Sequence, residues 1–471
     1  MNDLKVKEVL ENKIGRLITG NKEDIIENIK LDSRQVENGD TYLALKGDNI
    51  DGSIYYKEAI KNGARVCIVN NIDISDEEKE MYKNNTIIQV KDTKDAIVEM
   101  AKLKREKYDI PVIGVTGSVG KTSTKDTIAT VVSKKYNVYK TQGNYNNRMG
   151  VPLTILALKD HTALVIEMGM NHLGEISELT KIAKPTLAVI SNVGTSHIGN
   201  LGSRENILKA KLEILDGMSK DGKIIINNDN DLLHKWSQED NKYNKITFGI
   251  KEKSDYMATD TQIGETTSSF KYDDIDFETN KAGEPFIYNA LSAIAVGTEL
   301  GIPMDDINEA LRNIEFTKDR MDIEKIGEIT FIKDYYNASY ESIKPSLEYL
   351  SNIKEGLKIA VLGDVKELGE YSKELHEKIG EEVAKNKIDI LITVGEDAKY
   401  IAKKAEEKGQ KNIYTCETNK EAAEYLKKYK NTKATILLKA SHSMNFGEIL
   451  ELYKKWFHFF LNYDIMSTNY P

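Results

Sequence analysis

A glycine-rich turn between an apolar run and a polar helix is the stretch of this sequence best suited to chemistry. Residues 112–126 read VIGVTGSVGKTSTKD, in which Gly117 and Gly120 precede Lys121 and Thr122. Glycines at such a turn let backbone N–H groups approach phosphate oxygens, and the N-terminal end of a following helix favours negative charge. The lysine would then reach the β- and γ-phosphates of a nucleotide, and the threonine hydroxyl would bind Mg²⁺. The pattern therefore predicts a phosphate cradle.

The spacing of these glycines differs from that of the common P-loop. The motif G-x-x-x-x-G-K-[ST] would place its first glycine at position 115, where this chain has Val115. A nucleotide site of another lineage and a chance glycine turn with an exposed lysine are the two interpretations. The order of strand, glycine turn, Lys-Thr and helix favours the nucleotide site. The residues expected to contact the nucleotide are Gly117, Ser118, Val119, Gly120, Lys121, Thr122 and Ser123.

Two further candidates follow apolar runs downstream of this turn. The run ALVIEM contains Glu167 at its polar end, and LAVISNVGTSH continues to His197. Because ligands of an open α/β sheet bind beyond the carboxyl ends of its strands, Glu167 is expected to bind Mg²⁺ beside the cradle. A strand-terminal surface carboxylate is the alternative. His197, taken alone, is more typical of a hydrogen-bonding surface histidine than of a ligand.

Lys211 has an unusual place in the helix predicted for SRENILKAKLEILDG, residues 203–217. Its neighbours three and four positions away are Ile207, Leu208, Ile214 and Leu215. They form one apolar stripe, so Lys211 belongs to the buried face, whereas Lys209 belongs to the wet face. Burial lowers the pKa of a lysine and leaves a nucleophilic amine, which can take up CO₂ as an anionic carbamate. On the pattern alone, a salt-bridged or snorkelling lysine is the more common case.

These residues lie in a chain whose apolar runs alternate with helical patterns. The alternation predicts an α/β fold with a mostly parallel central sheet covered by helices, followed by a second α/β unit. A chain of 471 residues is too long for one core, so several domains are expected. The predicted domains are residues 1–107, 108–320 and 321–471.

Composition restricts the partners and the compartment. The net charge of −9 argues against general nucleic-acid binding, which needs a basic surface. Only two cysteines, Cys67 and Cys416, are present, which fits a reducing cytoplasm rather than a disulfide framework. No secretory signal is recognisable, and no apolar run approaches the roughly 18–20 residues of a membrane span. We therefore expect a cytoplasmic protein that has no membrane span and binds no nucleic acid.

Several segments together resemble the Mur ligases of peptidoglycan synthesis. They are TGSVGKTSTKD, TQGNYNNRMGVP, VIEMGMNHLGEI, ISNVGTSHIGNLGSRENILKAKLEI, INNDND and VLGDVKELGEYSKELH. The last segment, and the absence of a D-N-P-[AR] element, are most similar to the type that joins D-alanyl-D-alanine to UDP-N-acetylmuramoyl-tripeptide. DSRQVENGDTYLALKGDNIDG also looks like the uridine-nucleotide domain of that family. The resemblance covers nearly the whole chain.

The resemblance implies an architecture and a reaction. The three predicted domains would be a UDP-substrate-binding domain, a central ATP-binding ligase domain and a C-terminal Rossmann-like domain. The substrate carboxylate would attack the γ-phosphate of ATP to form an acyl phosphate, and the amine of D-Ala-D-Ala would then expel phosphate. Such an ADP-forming acid–D-amino-acid ligase would serve cell-wall synthesis, and hence cell shape and division, and is expected to be a monomer.

The resemblance also assigns roles to individual residues. The catalytic set would be Lys121, Glu167, His197 and Lys211. Thr122 and Glu167 would hold one Mg²⁺, and His197 and carbamylated Lys211 would hold a second. The nucleotide would further contact Asn289, Arg320 and Asp334, with Tyr336 and Asn337 in the same loop as Asp334. The UDP-sugar-peptide would contact Ser33 and Arg34 at its uridine diphosphate end and Asn144 and Asn147 at its peptide.

Some positions depart from the family pattern. Pro285 stands where a histidine is usual, Asp319 where a glycine is usual, and His442 where an arginine is usual. They cluster on the adenine and amine sides of the expected site. Two alternatives therefore stay open, a related ligase with another amino substrate and a P-loop ATPase that does not ligate. The intact catalytic set argues against the latter, and the uridine-type motif argues against a folate-type ligase.

Overall fold

A computed structural model of the chain describes residues 3–47, 50–70, 72–239 and 243–468, with side chains as far as residue 459. Across these residues, helices alternate with strands of four main sheets. The predicted α/β fold with mostly parallel sheets is confirmed. None of the helices in the described part of the chain combines the length and the hydropathy that a membrane span requires.

The N-terminal region forms a five-stranded sheet in the order β2-β7-β6-β5-β4, in which only β2 runs antiparallel to its neighbour. Its central strands are short apolar runs buried along their whole length. The strands are β1 Leu4–Lys5, β2 Gly15–Thr19, β3 Ile25–Ile26, β4 Ile29–Lys30, β5 Thr41–Leu43, β6 Val66–Val69 and β7 Thr86–Val90. The helices are α1 Val6–Glu11, α2 Tyr56–Lys61, α3 Asp76–Met81 and α4 Thr93–Glu106.

The central region contains a seven-stranded, fully parallel sheet in the order β14-β13-β12-β11-β8-β10-β9. Near-continuous Val, Ile and Leu runs form its inner strands, because helices cover both faces of such a sheet. A three-stranded antiparallel sheet, β15-β16-β17, follows it. The strands are β8 Val112–Thr116, β9 Val138–Lys140, β10 Ala163–Glu167, β11 Leu187–Ile190, β12 Lys223–Asn227, β13 Asn244–Gly249, β14 Tyr256–Met257, β15 Thr259–Ile263, β16 Ser268–Tyr272 and β17 Ile275–Thr279. The helices are α5 Lys121–Val132, α6 Gly150–Leu156, α7 Glu175–Ala183, α8 Ile198–Leu201, α9 Arg204–Leu212, α10 Asp231–Ser237, α11 Glu284–Glu299 and α12 Met304–Leu311.

The C-terminal region forms a six-stranded sheet in the order β18-β19-β23-β20-β21-β22, parallel except for the first pair. The strands are β18 Asp322–Ile326, β19 Ile329–Lys333, β20 Leu357–Gly363, β21 Ile390–Val394, β22 Ile413–Cys416 and β23 Ala434–Lys439. The helices are α13 Tyr340–Asn352, α14 Ser372–Lys385, α15 Ala398–Glu407, α16 Asn419–Leu426 and α17 Gly447–Thr468. The aromatic C-terminal segment thus continues a helix, and its last residues, 469–471, lie outside the described residues.

The topology of the central sheet determines where a ligand can bind. Strand β8 lies between β10 and β11. Strands β9 and β10 lie on one side of β8 and strands β11 to β14 on the other, so the strand order reverses at β8. At such a switch point a crevice opens beyond the carboxyl ends of the strands. The predicted boundaries near residues 107 and 320 fall in connecting segments, after α4 and α12 respectively. The division into three domains itself stays a prediction.

Candidate active site

The turn between β8 and α5 opens into this crevice. A Cβ atom added to Gly117 would lie 1.9 Å from the Ser191 hydroxyl oxygen, so the loop packs against the end of β11 with no room for a side chain. Gly120 has a left-handed φ of 81° and directly precedes α5. Both predicted glycines therefore meet a conformational or steric requirement of the turn, and the helix begins at Lys121.

The loop is braced by a residue that sequence reasoning missed. The Asn192 side-chain oxygen accepts hydrogen bonds from the backbone N–H groups of Ser118 and Val119 at 3.1 and 2.9 Å. In the described structure the N–H groups of residues 120–123 make no hydrogen bond, as expected for a helix N-terminus. These donors remain for an anion. Asn192 follows the apolar strand β11 by two residues, and Glu167 is the last residue of the apolar strand β10. A polar residue at the end of an apolar run was therefore the available signal for Asn192 as well.

Lys121 and Thr122 project from this helix end into the crevice. The Lys121 ammonium donates to the Gly117 carbonyl at 2.9 Å. Burial lowers the pKa of Lys121, and the negative charge of Glu167 opposes that shift. The Thr122 hydroxyl is buried and accepts a hydrogen bond from the Arg320 guanidinium at 2.8 Å. The guanidinium thus meets the helix end where a phosphate would bind.

Glu167 ends β10 beside the cradle with only 2% of its surface exposed. Its Oε1 accepts a hydrogen bond from the Asn146 amide at 2.8 Å, whereas Oε2 is buried and has no hydrogen-bond partner among the described residues. A buried carboxylate oxygen without a donor is costly unless a cation or ligand donor satisfies it. The geometry therefore fits a cation ligand.

The three asparagines of GNYNN have different surroundings, and the substrate contacts predicted for Asn144 and Asn147 stay predictions. Asn146, which the sequence did not single out, holds Glu167. The Asn147 side-chain oxygen accepts from the backbone N–H groups of Met149 and Gly150 at 3.1 and 3.0 Å, and so stabilises the start of α6. Asn144 is exposed at the cavity. The three asparagines look alike in sequence, and only the fold distinguishes them.

His197 has a left-handed φ of 65° and lines the same cavity. Its Nδ1 lies 2.6 Å from Glu367 Oε2, a close contact in which the two groups are not aligned as a hydrogen bond. Burial lowers the pKa of His197, and the positive charge of Lys121 lowers it further. The ring is therefore neutral near pH 7 and able to present a nitrogen lone pair.

Lys211 is buried with 2% of its surface exposed, whereas Lys209 is exposed, as the helical stripe predicted. Across the described structure the Lys211 ammonium has no hydrogen bond and no ion pair within 4 Å. Burial lowers its pKa well below the ordinary lysine value, and the like charge of Lys121 adds to that effect. Lys211 is not one of the side chains that line the cavity. It is nevertheless close enough for its charge to act on Lys121 and on His197, which do line the cavity.

The predicted nucleotide-binding residues approach from two directions. Asn289, on α11, is buried and its side-chain oxygen accepts from the Thr124 hydroxyl at 2.8 Å. Arg320 stacks over the Tyr336 ring with its guanidinium carbon 4.2 Å from the ring centre. The Arg320 Nε is buried without a hydrogen-bond partner among the described residues. Both side chains line the cavity.

Asp334 belongs to a buried ion pair whose partner was not predicted. The Lys439 ammonium lies 2.5 Å from Asp334 Oδ2, and the Ser346 hydroxyl donates to the same oxygen at 2.8 Å. Burial lowers the pKa of Lys439, which the Asp334 charge opposes. Lys439 ends the apolar strand β23, so a charged residue that ends an apolar run was again the available signal.

Loops of the central and C-terminal sheets enclose one cavity of about 400 Å³. It brings together most of the predicted site: Ser118, Val119, Gly120, Lys121, Thr122, Ser123, Asn144, Asn147, Glu167, His197, Asn289, Arg320 and Asp334. Two of the three positions that depart from the family pattern lie at this cavity, and the third is next to Arg320 in sequence. Pro285 and His442 line the cavity, and Asp319 adopts a φ of 61°, a conformation that glycine favours and aspartate tolerates.

Ser33 and Arg34 lie outside this cavity. The Ser33 hydroxyl donates to Glu58 at 2.5 Å, and the exposed Arg34 pairs with Asp32 at 2.7 Å. Their neighbours Asp32 and Gln35 line a second cavity of about 580 Å³ between the N-terminal region and α6. The two predicted uridine contacts therefore flank a cavity without lining it.

A parallel sheet with a phosphate cradle at its switch point, surrounded by a carboxylate, an imidazole and a buried amine, defines a nucleotide-dependent α/β enzyme. Comparison with protein-family models matches three successive segments of the chain. They are the Mur ligase family catalytic domain at residues 25–105, the Mur ligase middle domain at 115–297 and the Mur ligase glutamate ligase domain at 319–442.

Curated relatives match over nearly the full length. The UDP-N-acetylmuramoyl-tripeptide–D-alanyl-D-alanine ligase of Bacillus subtilis is 34% identical over 95% of this chain and 97% of its own. The corresponding ligase of Synechocystis is 35% identical over 81% of this chain and 82% of its own. The chain belongs to the Mur ligase family.

Solved structures give the same result. A structure of MurF from Acinetobacter baumannii is 28% identical and superposes with a TM-score of 0.84 over 96% of this chain and 99% of that one. MurF from Thermotoga maritima in complex with ADP is 29% identical, with a TM-score of 0.79 over 92% of this chain and 98% of that one. The resemblance stated from the sequence is thereby confirmed, and the chain is an enzyme of the ligase class.

Proposed function

We propose that this chain is an ADP-forming ligase that joins D-alanyl-D-alanine to UDP-N-acetylmuramoyl-tripeptide during cytoplasmic peptidoglycan precursor synthesis. The observation that carries the proposal is the meeting of Lys121, Glu167 and His197 in one cavity with Arg320 and Asp334 from the segment that leads into the C-terminal sheet. The names of the curated relatives supply the substrates. We also propose that the chain is a monomer with three domains, at residues 1–107, 108–320 and 321–471.

The residues around the cradle fit ATP and magnesium. The free N–H groups of residues 120–123 and the Lys121 ammonium suit phosphate oxygens. No group of three or more His, Cys, Asp or Glu side chains in the described ranges is arranged around a single point. Magnesium usually takes one or two carboxylates together with substrate phosphates, so a sparse protein ligand set is expected. Bound Mg²⁺ would neutralise phosphate charge during transfer.

We assign the two magnesium ions to separate residue pairs. Thr122 and Glu167 would hold one of them, because the Glu167 Oε2 atom is buried and lacks a donor. His197 and carbamylated Lys211 would hold the other. Phosphoryl transfer depends on positioning and charge neutralisation more than on covalent chemistry by the protein. The protein groups therefore align the reactants and exclude water.

The surroundings of Lys211 support its carbamylation. A neutral lysine amine attacks the carbon of CO₂ and releases one proton, which gives an anionic carbamate. The unmodified ammonium is buried, has no counter-charge within 4 Å and is repelled by Lys121. Conversion to an anion turns that repulsion into attraction and supplies a ligand for a cation. The buried amine is thus more stable beside Lys121 as a carbamate.

In the proposed reaction, the terminal carboxylate of the UDP-sugar-peptide attacks the γ-phosphorus of ATP, and the bond to the bridging oxygen of ADP breaks. Lys121 and Arg320 stabilise charge on the transferred group. The neutral amine of D-Ala-D-Ala then attacks the acyl carbon, the bond between that carbon and the phosphate oxygen breaks, and inorganic phosphate and one proton are released. The second cavity, beside Asp32 and Gln35, suits the uridine diphosphate end, with Ser33 and Arg34 at its margin. Asn144 would meet the peptide.

The test is phosphate release with ATP, Mg²⁺ and UDP-N-acetylmuramoyl-tripeptide, while D-Ala-D-Ala or single amino acids are added one at a time. Stimulation by D-Ala-D-Ala alone is expected, with the ligated product visible by mass. Stimulation only by a different amine would contradict the proposed amino substrate, and stimulation by none would contradict ligation. The Lys121→Ala variant is the inactive control, because it lacks the phosphate-binding ammonium.

A further inference from the structure

Glu367 reaches the active-site histidine from the other side of the interface between the two large sheets. It follows β20 of the C-terminal sheet. Its Oε2 lies 2.6 Å from Nδ1 of His197, a residue of the loop between β11 of the central sheet and α8. The Glu367 backbone carbonyl also accepts a hydrogen bond from the Gly199 N–H at 3.0 Å. The same residue therefore contacts the histidine loop through its side chain and its main chain.

The local backbone is arranged for this approach. Glu367 has a φ of 64°, a left-handed conformation that costs a non-glycine residue energy and persists only where its surroundings impose it. A Cβ atom added to Gly199 would lie 2.6 Å from the Gly369 backbone nitrogen, so the two loops touch main chain to main chain. The Tyr371 hydroxyl donates to the Gly202 carbonyl at 2.6 Å in the same contact. The interface is close and specific at this point.

The contact determines which ring nitrogen is available. An ionised carboxylate offers only lone pairs, so a bare Nδ1 at 2.6 Å from Oε2 would be repelled, and the contact favours the tautomer with its hydrogen on Nδ1. The lone pair then lies on Nε2, which makes no hydrogen bond with any described residue, and His197 lines the cavity. A carboxylate behind a ligand histidine fixes the tautomer and the ring orientation.

We propose that Glu367 is a positioning residue that orients His197 for its cation only when the C-terminal sheet is docked on the central one. This inference rests on the proposed function. Because the carboxylate comes from the opposite side of the interface, separation of the two regions removes it from the imidazole. His197 is then free to rotate. The orientation of its ring for a cation therefore depends, through this one contact, on docking of the C-terminal sheet.

The first readout is spectroscopic and needs neither substrate nor metal. In the full chain with ¹⁵N-labelled histidine at pH 8, the His197 signal, assigned by its loss in His197→Asn, is expected to show the Nδ1–H tautomer. In Glu367→Gln and Glu367→Gly it is expected to shift towards a mixture of tautomers. An unchanged His197 signal in both variants would overturn the proposal.

The second readout is the magnesium dependence of phosphate release. Loss of a carboxylate behind a ligand histidine typically weakens metal binding 10- to 100-fold, so the Mg²⁺ concentration for half-maximal activity should rise about 10-fold in both variants. KM for D-Ala-D-Ala should stay the same. A wild-type magnesium dependence in both variants would also overturn the proposal.

Two variants distinguish a loss of His197 orientation from a general loss of stability. Glycine relieves the left-handed strain at position 367, so Glu367→Gly should unfold at the wild-type temperature or above it while still losing magnesium affinity. Glu370→Gln, at an exposed residue three positions on, should match the wild type in both readouts. If the wild type itself releases no phosphate, the proposed function fails, yet the tautomer measurement still decides the role of Glu367.

Discussion

Three lysines near the active site differ in what compensates their charge. Lys121 donates to a backbone carbonyl, and Lys439 pairs with Asp334 at 2.5 Å. Lys211 is as deeply buried as Lys439 but has no partner among the described residues. An unpaired buried charge is unstable, and burial lowers the pKa of Lys211, so its amine is the one of the three best suited to the carbamylation proposed above. We therefore expect activity to depend on the modification of this one side chain.

Lys211→Ala should abolish phosphate release, and short carboxylic acids such as acetate or propionate should restore part of it. The physical reason is that a small carboxylate can occupy the space of the missing side chain and replace the carbamate as an anionic ligand. The measurement is the rate of phosphate release against added acid.

Lys209→Ala is the matched control, because Lys209 lies two residues away on the exposed face of the same helix. It should keep wild-type activity and show no response to added acid. Undiminished activity in Lys211→Ala, or restoration by acetamide as well as by acetate, would contradict the anionic role.

At the scale of elements, the turn between β8 and α5 depends on close contact with the end of β11. The Ser191 hydroxyl donates to the Val119 carbonyl at 2.7 Å and occupies the space that a side chain at position 117 would need. The phosphate cradle is thus shaped by the neighbouring strand as well as by its own glycines.

Gly117→Ala should raise the Kd for ATP about 10-fold or more. The added methyl group would meet the Ser191 oxygen at 1.9 Å, and overpacking of this kind typically costs about 1–3 kcal/mol, of which 1.4 kcal/mol equals a tenfold change. Calorimetric titration with ATP measures the change.

The double variant Gly117→Ala/Ser191→Gly should recover part of the affinity, because it removes the clash, although the φ of 155° at position 117 and the lost Ser191–Val119 hydrogen bond remain. Gly174→Ala should bind ATP normally, because this glycine also has a positive φ, of 89°, but its added Cβ would meet no atom within 4 Å, so it carries backbone strain without a clash. Failure of the double variant to improve on Gly117→Ala would show that the clash with Ser191 is not the cause.

At the scale of the whole molecule, Asp126 ties together three parts of the chain. It lies on α5 with its side chain fully buried, and Lys140 of β9 contacts it at 2.7 Å. Its other oxygen accepts from the Thr317 N–H and hydroxyl at 2.9 and 2.8 Å, in the segment that leads to the C-terminal sheet. Lys125 lies 3.2 Å away and is also buried.

Asp126→Asn should lower the free energy of unfolding at pH 7 by about 3 kcal/mol, because removal of one partner leaves a buried charge uncompensated. Burial alone raises the pKa of Asp126, but Lys125 and Lys140 bring it below the ordinary value. The folded-state pKa is thus lower than the unfolded one, so the stabilisation is present above about pH 4 and is lost as the pH falls through the folded-state pKa.

Urea unfolding at pH 7 and at pH 3 measures this difference, which should shrink at the lower pH. Asp95→Asn is the control, since its ion pair with Arg148 is at the surface and should contribute less than about 1 kcal/mol. Equal destabilisation by the two variants would contradict the role of Asp126.

Local sequence patterns were enough to predict the α/β class, the glycine turn before α5, the burial of Lys211 and the family. These follow from local patterns: apolar periodicity, glycines at a turn, and a lysine within an apolar helical stripe. A charged residue at the end of an apolar strand indicated Glu167, and the same rule applied to β23 would have found Lys439. Such features depend on neighbours within about one helical turn or one strand, and a sequence displays these directly.

The contacts between residues far apart in the chain became visible only in the folded protein. It selected Asn146 rather than Asn144 or Asn147 to hold Glu167, brought Asn192 to the cradle and placed Glu367 behind His197. It also left Ser33 and Arg34 outside the main cavity. These outcomes depend on strand order and on contact between loops of separate sheets. Residues up to about 170 positions apart are joined there, and no local pattern records that geometry.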